Sequence, residues 1–183
     1  MYSLYGIATS DLPECIGTVC YTKWQNMLQR CYSETFQART TAYKGVTVCD
    51  EWLRFSNFKE WFDSQPITED MHLDKDILHV GNKIYSPATC CLVVAELNFL
   101  FTVKKKTTYA TGVSRKGKWF VAKINIDGEL VRLGNYLTEQ EASTAYSVAK
   151  VQKIKRWLPY VTYDMRISEG LEKHIERLEN GHA

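Results

Sequence analysis

The chain has 183 residues, 45% of them hydrophobic and 24% charged, with a formal net charge of +2. Such a composition excludes wholesale disorder, and the length holds one medium domain or two small ones. No apolar run of about eighteen residues occurs and the N-terminus lacks a basic segment followed by an apolar one, so neither a membrane span nor a secretory signal is expected.

A cytoplasmic location follows as an expectation, and it governs how the six cysteines are read. In a reducing compartment disulfides are disfavoured. Cys31, Cys49 and Cys90 or Cys91 could converge on a structural zinc, but no pair has C-x-x-C spacing, and buried free thiols are the preferred reading.

Along the chain, Tyr21, Trp24, Met27, Leu28 and Cys31 recur at helical spacing, and Phe55, Phe58, Trp61 and Phe62 do so again. Both stripes are expected to be core helices. Between them, Tyr43 to Trp52 reads as a turn and a short strand.

From Met71 the pattern changes. His72, Asp74 and Asp76 alternate with Leu73, Lys75 and Ile77, so a strand here would place both carboxylates and the imidazole on one face. A loop bracketed by Gly81-Asn82-Lys83 and Ser86-Pro87 follows, then a strand over Thr89–Val93 and a short helix over Val94–Phe101 bearing Asn98. This segment, with W-x-x-M-x-x-R-C-Y, G-V-x-V-C-x-x-W and F-x-x-F before it, is similar to the HNH region of phage homing endonucleases. The resemblance implies a ββα-metal domain over residues 1–103 and a divalent metal, Mg²⁺ or Mn²⁺, held by Asp74 and Asn98. Two oxygen ligands completed by phosphate and water suit Mg²⁺. Two positions depart from the family pattern. Its general-base histidine is replaced by Lys75, and its loop-fixing asparagine by Thr89. An ammonium cannot take a proton from water unless its pKa falls far. His72 and His79 are then the nearest groups to activate water, with Lys75 stabilising charge on the phosphorane; otherwise the centre has lapsed.

Charge is unevenly spread. Residues 1–103 carry 8 Lys/Arg against 12 Asp/Glu, whereas residues 104–133 carry 8 against 2. A basic linker over residues 104–108, with Lys104, Lys105 and Lys106, opens this stretch. Such a local excess is the footprint expected of phosphate contact, or else a solvated face.

Beyond the linker, Gly112 to Arg115 leads through Lys116-Gly117-Lys118 into a strand from Trp119 to Ile126. Asp127-Gly128 signals a two-residue hairpin, and Glu129–Tyr136 is the third strand. Alternation puts Phe120, Ala122, Ile124 and Ile126 on one face, and Trp119, Val121, Lys123 and Asn125 on the other. On the next strand it puts Val131 and Leu133 inward, with Leu130 and Arg132 outward. Thr138 and Glu141 form a capping box for a helix to about Trp157, whose Ala142, Ala145, Tyr146, Ala149 and Ile154 would sit on the inner face.

These roughly fifty residues resemble the AP2/ERF DNA-binding domain through G-V-S-x(4)-W-x-x-A-x-I, D-G and L-G-x-Y-x-T-x-x-E-A-x-x-A-Y-x-x-A. By position, the resemblance implies DNA contacts from Trp119, Lys123 and Arg132, supported by Arg115, Lys116, Lys118 and Asn125. A core Trp119 among solvated lysines is the plain alternative. Past Pro159, a stripe of Ile167, Leu171, Ile175 and Leu178 within residues 159–183 forms a last helix, to pack on the body or on a protein partner.

The expected fold is α+β: a helical, HNH-like ββα-metal domain followed by an AP2-like three-stranded antiparallel sheet on one helix, residues 109–158. The expected function is sequence-directed binding of double-stranded DNA with metal-dependent phosphodiester hydrolysis, in the cytoplasm of a phage-infected bacterial cell. Two alternatives stand beside it. One is a DNA-binding repressor or counter-defence factor with a lapsed nuclease centre; the other is a protein-interaction module using the basic sheet against an acidic partner.

Overall fold

A computed structural model describes residues 2–67, 69–102 and 108–181. The chain divides into two compact units, Met1–Phe101 and Thr102–Ala183. Lys104, Lys105 and Lys106, the basic linker, lie outside the described residues. Among the described residues no helix is long and apolar enough to cross a membrane.

The first unit opens with a hairpin of β1 (Tyr2–Leu4) and β2 (Ala8–Ser10), followed by helices α1 (Val19–Tyr32) and α2 (Glu34–Arg39). Thr18 caps α1 by accepting from the Tyr21 N–H, and Ser33 caps α2 in the same way from Phe36. The expected stripe of α1 is buried, together with Cys20. Helix α3 (Phe55–Asp63) buries Phe55, Phe58 and Phe62. Trp24 binds the two segments by donating its indole N–H to the Trp52 carbonyl, 2.7 Å away.

Strand β4 (Met71–Asp74) pairs antiparallel with β6 (Cys91–Val94), His72 opposite Val93 and Asp74 opposite Cys91. Helix α4 (Ala95–Phe101) follows directly. The connection between β4 and β6 is not a plain loop: its β5 (Ile84–Tyr85) pairs in parallel with β3 (Thr47–Val48). Three boundaries differ from expectation. Asp76 is not on the strand, because the Asp74 carboxylate takes the N–H groups of Asp76 and Ile77, and the chain turns there. Thr89 lies in a turn closed on Ser86, so β6 begins at Cys91. Val94 belongs to β6, paired with Met71, and the helix starts one residue later.

The second unit is a three-stranded antiparallel sheet in the order β7 (Val113–Lys116), β8 (Trp119–Ile126), β9 (Glu129–Tyr136). The β8–β9 turn has positive φ at both Asp127 (53°) and Gly128 (90°), the left-handed pair that a two-residue hairpin needs. Helix α5 (Glu139–Lys155) carries both bonds of the Thr138–Glu141 capping box. It ends at Lys155, two residues before the expected Trp157. Val113, Ala122 and Ala142 form the centre of the sheet–helix core, with Phe120, Leu133, Tyr136 and Ala145 packed against it.

Helix α6 (Met165–Glu179) buries Ile167, Gly170, Leu171, Ile175 and Leu178 and packs on α5. Its stripe therefore seats on the unit's own body. That second contact explains why α5 buries Ser147 and Val151 besides the residues facing the sheet.

Candidate nucleic-acid interface

Cross-strand partners in an antiparallel sheet point to the same side, so register sorts the side chains. Phe120 opposite Tyr136, Ala122 opposite Gly134 and Val113, and Ile124 opposite Val131 belong to the face that α5 covers. The other face carries Lys116 with Trp119, Ser114 with Val121 and Asn135, Lys123 with Arg132, and Asn125 with Leu130.

Register shifts between Ala122 and Lys123: Ala122 faces Gly134 while Lys123 faces Arg132, leaving Leu133 as the extra residue of a β-bulge. Alternation without the bulge sends Tyr136 outward and Asn135 inward. The bulge reverses both, so Tyr136 enters the core and Asn135 joins Arg132 outside. Asn135 escapes sequence reading for that reason. Arg132 donates to the Asn135 side-chain carbonyl, which orients the guanidinium along the face.

Most of this face is accessible. Ser114, Lys116, Trp119, Asn125, Arg132 and Asn135 are exposed, and Lys123 is half-buried. Lys118, in the β7–β8 turn, places its ammonium 5.1 Å from the centre of the Trp119 ring, a cation–π contact. Asn125 is partly engaged in the fold, its Oδ1 accepting from Gly128 at 3.1 Å.

Val121 lies on the open face as alternation implies, yet is only 4% exposed. Val131 lies opposite Ile124 on the helix side as expected, yet is 38% exposed. Arg115 pairs with Phe120 and so points to the helix side, its guanidinium 5.7 Å from the Phe120 ring. It is exposed, but not beside Lys123 and Arg132.

In the first unit, Asp74 is 7% exposed, and its Oδ1 accepts from Asp76 and Ile77, each at 2.7 Å. Burial raises its pKa to about 6 against the pull of those bonds. Lys75 is also buried; its ammonium binds the Asp76 carboxylate at 2.6 Å and the Asn82 carbonyl at 3.0 Å. Asn82 answers by donating to the carbonyls of Lys75 and Ile84. Thr89 completes the clamp, its hydroxyl donating to the Ile84 carbonyl at 2.7 Å. Thr89 thus fixes the loop. Asn82 was visible in the sequence only as a loop residue.

Asn98 meets His72, its Nδ2 3.2 Å from His72 Nδ1. The His72 imidazole is held below its ordinary pKa by burial and by the positive charges of Lys23 and Arg30, with Glu96 opposing. His79 is exposed on the loop. No group of three or more His, Cys, Asp or Glu side chains placed to hold a metal occurs among the described residues. All six cysteines are free. Burial pushes the Cys31 thiol up to about 12 and raises Cys49 and Cys90 as well.

No protein-family model, curated protein or solved structure shows a significant match to the chain.

Proposed function

We propose that the chain is a double-stranded DNA-binding protein that lays the uncovered face of its three-stranded sheet in the major groove. The observation that carries this reading is the shared face of Lys116, Trp119, Lys123, Arg132 and Asn135, set by register and by the bulge at Leu133. Strands fit that groove, cations meet its phosphates, and amides and guanidinium groups suit base edges. The capped helix and α6 keep the opposite face packed, so the reading side is held by a rigid scaffold.

The test is anisotropy titration of labelled duplexes at several salt concentrations. Lys123→Ala with Arg132→Ala should weaken binding, and loss of the Lys123 phosphate contact should flatten the slope of log K against log salt by roughly 1. Binding that ignores salt and survives both changes would overturn the proposal in favour of a protein partner.

A second reading, HNH-type hydrolysis, is favoured by one arrangement: β4, β6 and α4 in succession, with Asp74 and His72 on β4 and Asn98 on α4. The donor set does not fit a metal ion as it stands. Asp74 Oδ1 serves two backbone N–H groups, Asn98 meets His72, and Lys75 faces inward on Asp76 and Asn82. Binding without cleavage is therefore preferred to hydrolysis. Plasmid nicking in Mg²⁺ or Mn²⁺ by the purified chain, lost in Asp74→Ala and Asn98→Ala, would reverse that order.

A further inference from the structure

Asn125 and Leu130 are cross-strand partners on the uncovered face, one pair along from Lys123 and Arg132. Side chains paired in this way stand about 5 Å apart at Cβ, close enough to meet one ligand together. Leu130 is 65% exposed. A single exposed leucine is ordinary on a protein surface, so its exposure alone carries nothing. Its partner supplies the second observation. The Gly128 N–H can only donate, so the Asn125 atom that meets it at 3.1 Å is the carbonyl oxygen Oδ1. That bond commits Oδ1 to the turn and leaves Nδ2, which has no partner among the described residues, as a donor on the exposed side. Lys153 of α5 fixes the same residue from the helix, donating to its backbone carbonyl at 2.8 Å.

The pair therefore offers one hydrogen-bond donor beside one apolar group, with the amide oxygen already engaged. Base edges in the major groove differ in how well they answer it. Thymine presents its O4 acceptor beside a methyl group. Guanine presents two acceptors and no methyl, and adenine couples its acceptor to an amino donor. Cytosine presents an amino donor, which would meet Nδ2 donor to donor. Only thymine matches both members of the pair.

We infer that Asn125 and Leu130 read one thymine in the major groove. Asn125 Nδ2 donates to its O4, and Leu130 covers its methyl group. The inference rests on the sheet-in-groove reading and gives that reading a base preference.

The experiment enriches duplexes on the whole chain from a randomised library. Each thymine of the recovered site is then replaced in turn by uracil, which lacks only the methyl group. At one position or more that change should weaken binding about fourfold, the scale of burying one methyl group. Leu130→Ala should bind the thymine and uracil duplexes equally at that position. Asn125→Asp keeps an oxygen for Gly128 but replaces the donor with an acceptor. There it should shift the preference from thymine to cytosine, whose amino group donates. Both side chains are exposed, so neither change should alter the far-ultraviolet circular dichroism, and ratios between duplexes discount any general loss of affinity. No uracil-sensitive position, an undiminished methyl effect in Leu130→Ala, or thymine preference kept in Asn125→Asp overturns the inference. In those cases the sheet reading still stands if Lys123→Ala with Arg132→Ala weakens the thymine and uracil duplexes alike. A chain that enriches no duplex overturns both.

Discussion

Gly112 lies against Tyr146 so closely that a Cβ on it would stand 2.0 Å from the ring's Cδ2. Its φ of +76° is also one that side-chain-bearing residues rarely adopt. Backbone and packing therefore demand glycine independently, where β7 begins and the helix closes on the sheet. Gly112→Ala should destabilise the second unit by about 2–4 kcal/mol, from strain plus displacement of a buried aromatic ring. Urea unfolding followed by tryptophan fluorescence checks this. A midpoint within error of the parent would show that the ring moves aside freely.

The capping box offers a smaller, independent test of the same unit. Thr138 accepts from Glu141 N–H, and the Glu141 carboxylate returns to the N–H groups of Thr138 and Leu137. Thr138→Ala should cost about 1 kcal/mol. Helix α5 is held on both sides, by the sheet and by α6, so the loss should appear as a lower midpoint without loss of helical ellipticity.

Arg115 and Arg132 look alike in sequence, two exposed arginines in the basic stretch, but register puts them on opposite faces. Arg132→Ala should weaken duplex binding by about 1–3 kcal/mol where it reaches a base edge. Arg115→Ala should lower affinity far less. Equal losses in the two variants would mean that DNA does not lie on the face opposite α5.

That contrast also marks what the sequence disclosed. Period-2 alternation, Asp127-Gly128 and the Thr138–Glu141 pair were enough to draw the sheet and its helix, because each is a local signal. The bulge at Leu133 was not legible, since one extra residue changes no composition and shows only when two strands are paired. Asn135 and Tyr136 exchanged faces as a result. In the first unit, the strand–strand–helix order was readable from the same alternation. The inward turn of Lys75 was not, because it depends on Asn82, seven residues away, supplying a carbonyl to a buried ammonium. Likewise, nothing local says that the Asp74 carboxylate will close its own turn.

Asp74 gives the clearest pH prediction. Burial lifts its pKa from an ordinary 3.8 to about 6. The folded state therefore holds the proton more tightly than the unfolded chain does. Stability from this group is fully present below about pH 4 and lost as the pH rises through about 6. A shift of that size corresponds to a loss of about 3 kcal/mol by neutral pH. Asp74→Asn keeps an oxygen for the Asp76 and Ile77 N–H groups while removing the charge, so in chelator at pH 7 it should melt above the parent, with the gap closing at pH 4. Asp74→Ala should instead melt lower at both values, because two buried N–H groups lose their acceptor. Thermal melts at the two pH values decide it. An Asp74→Asn chain less stable than the parent at pH 7 would mean that the ionised carboxylate is held by a favourable charge. Added Mg²⁺ sharpens the choice: a metal held by Asp74 would raise the parent's melting temperature at pH 7 and leave Asp74→Asn where it was.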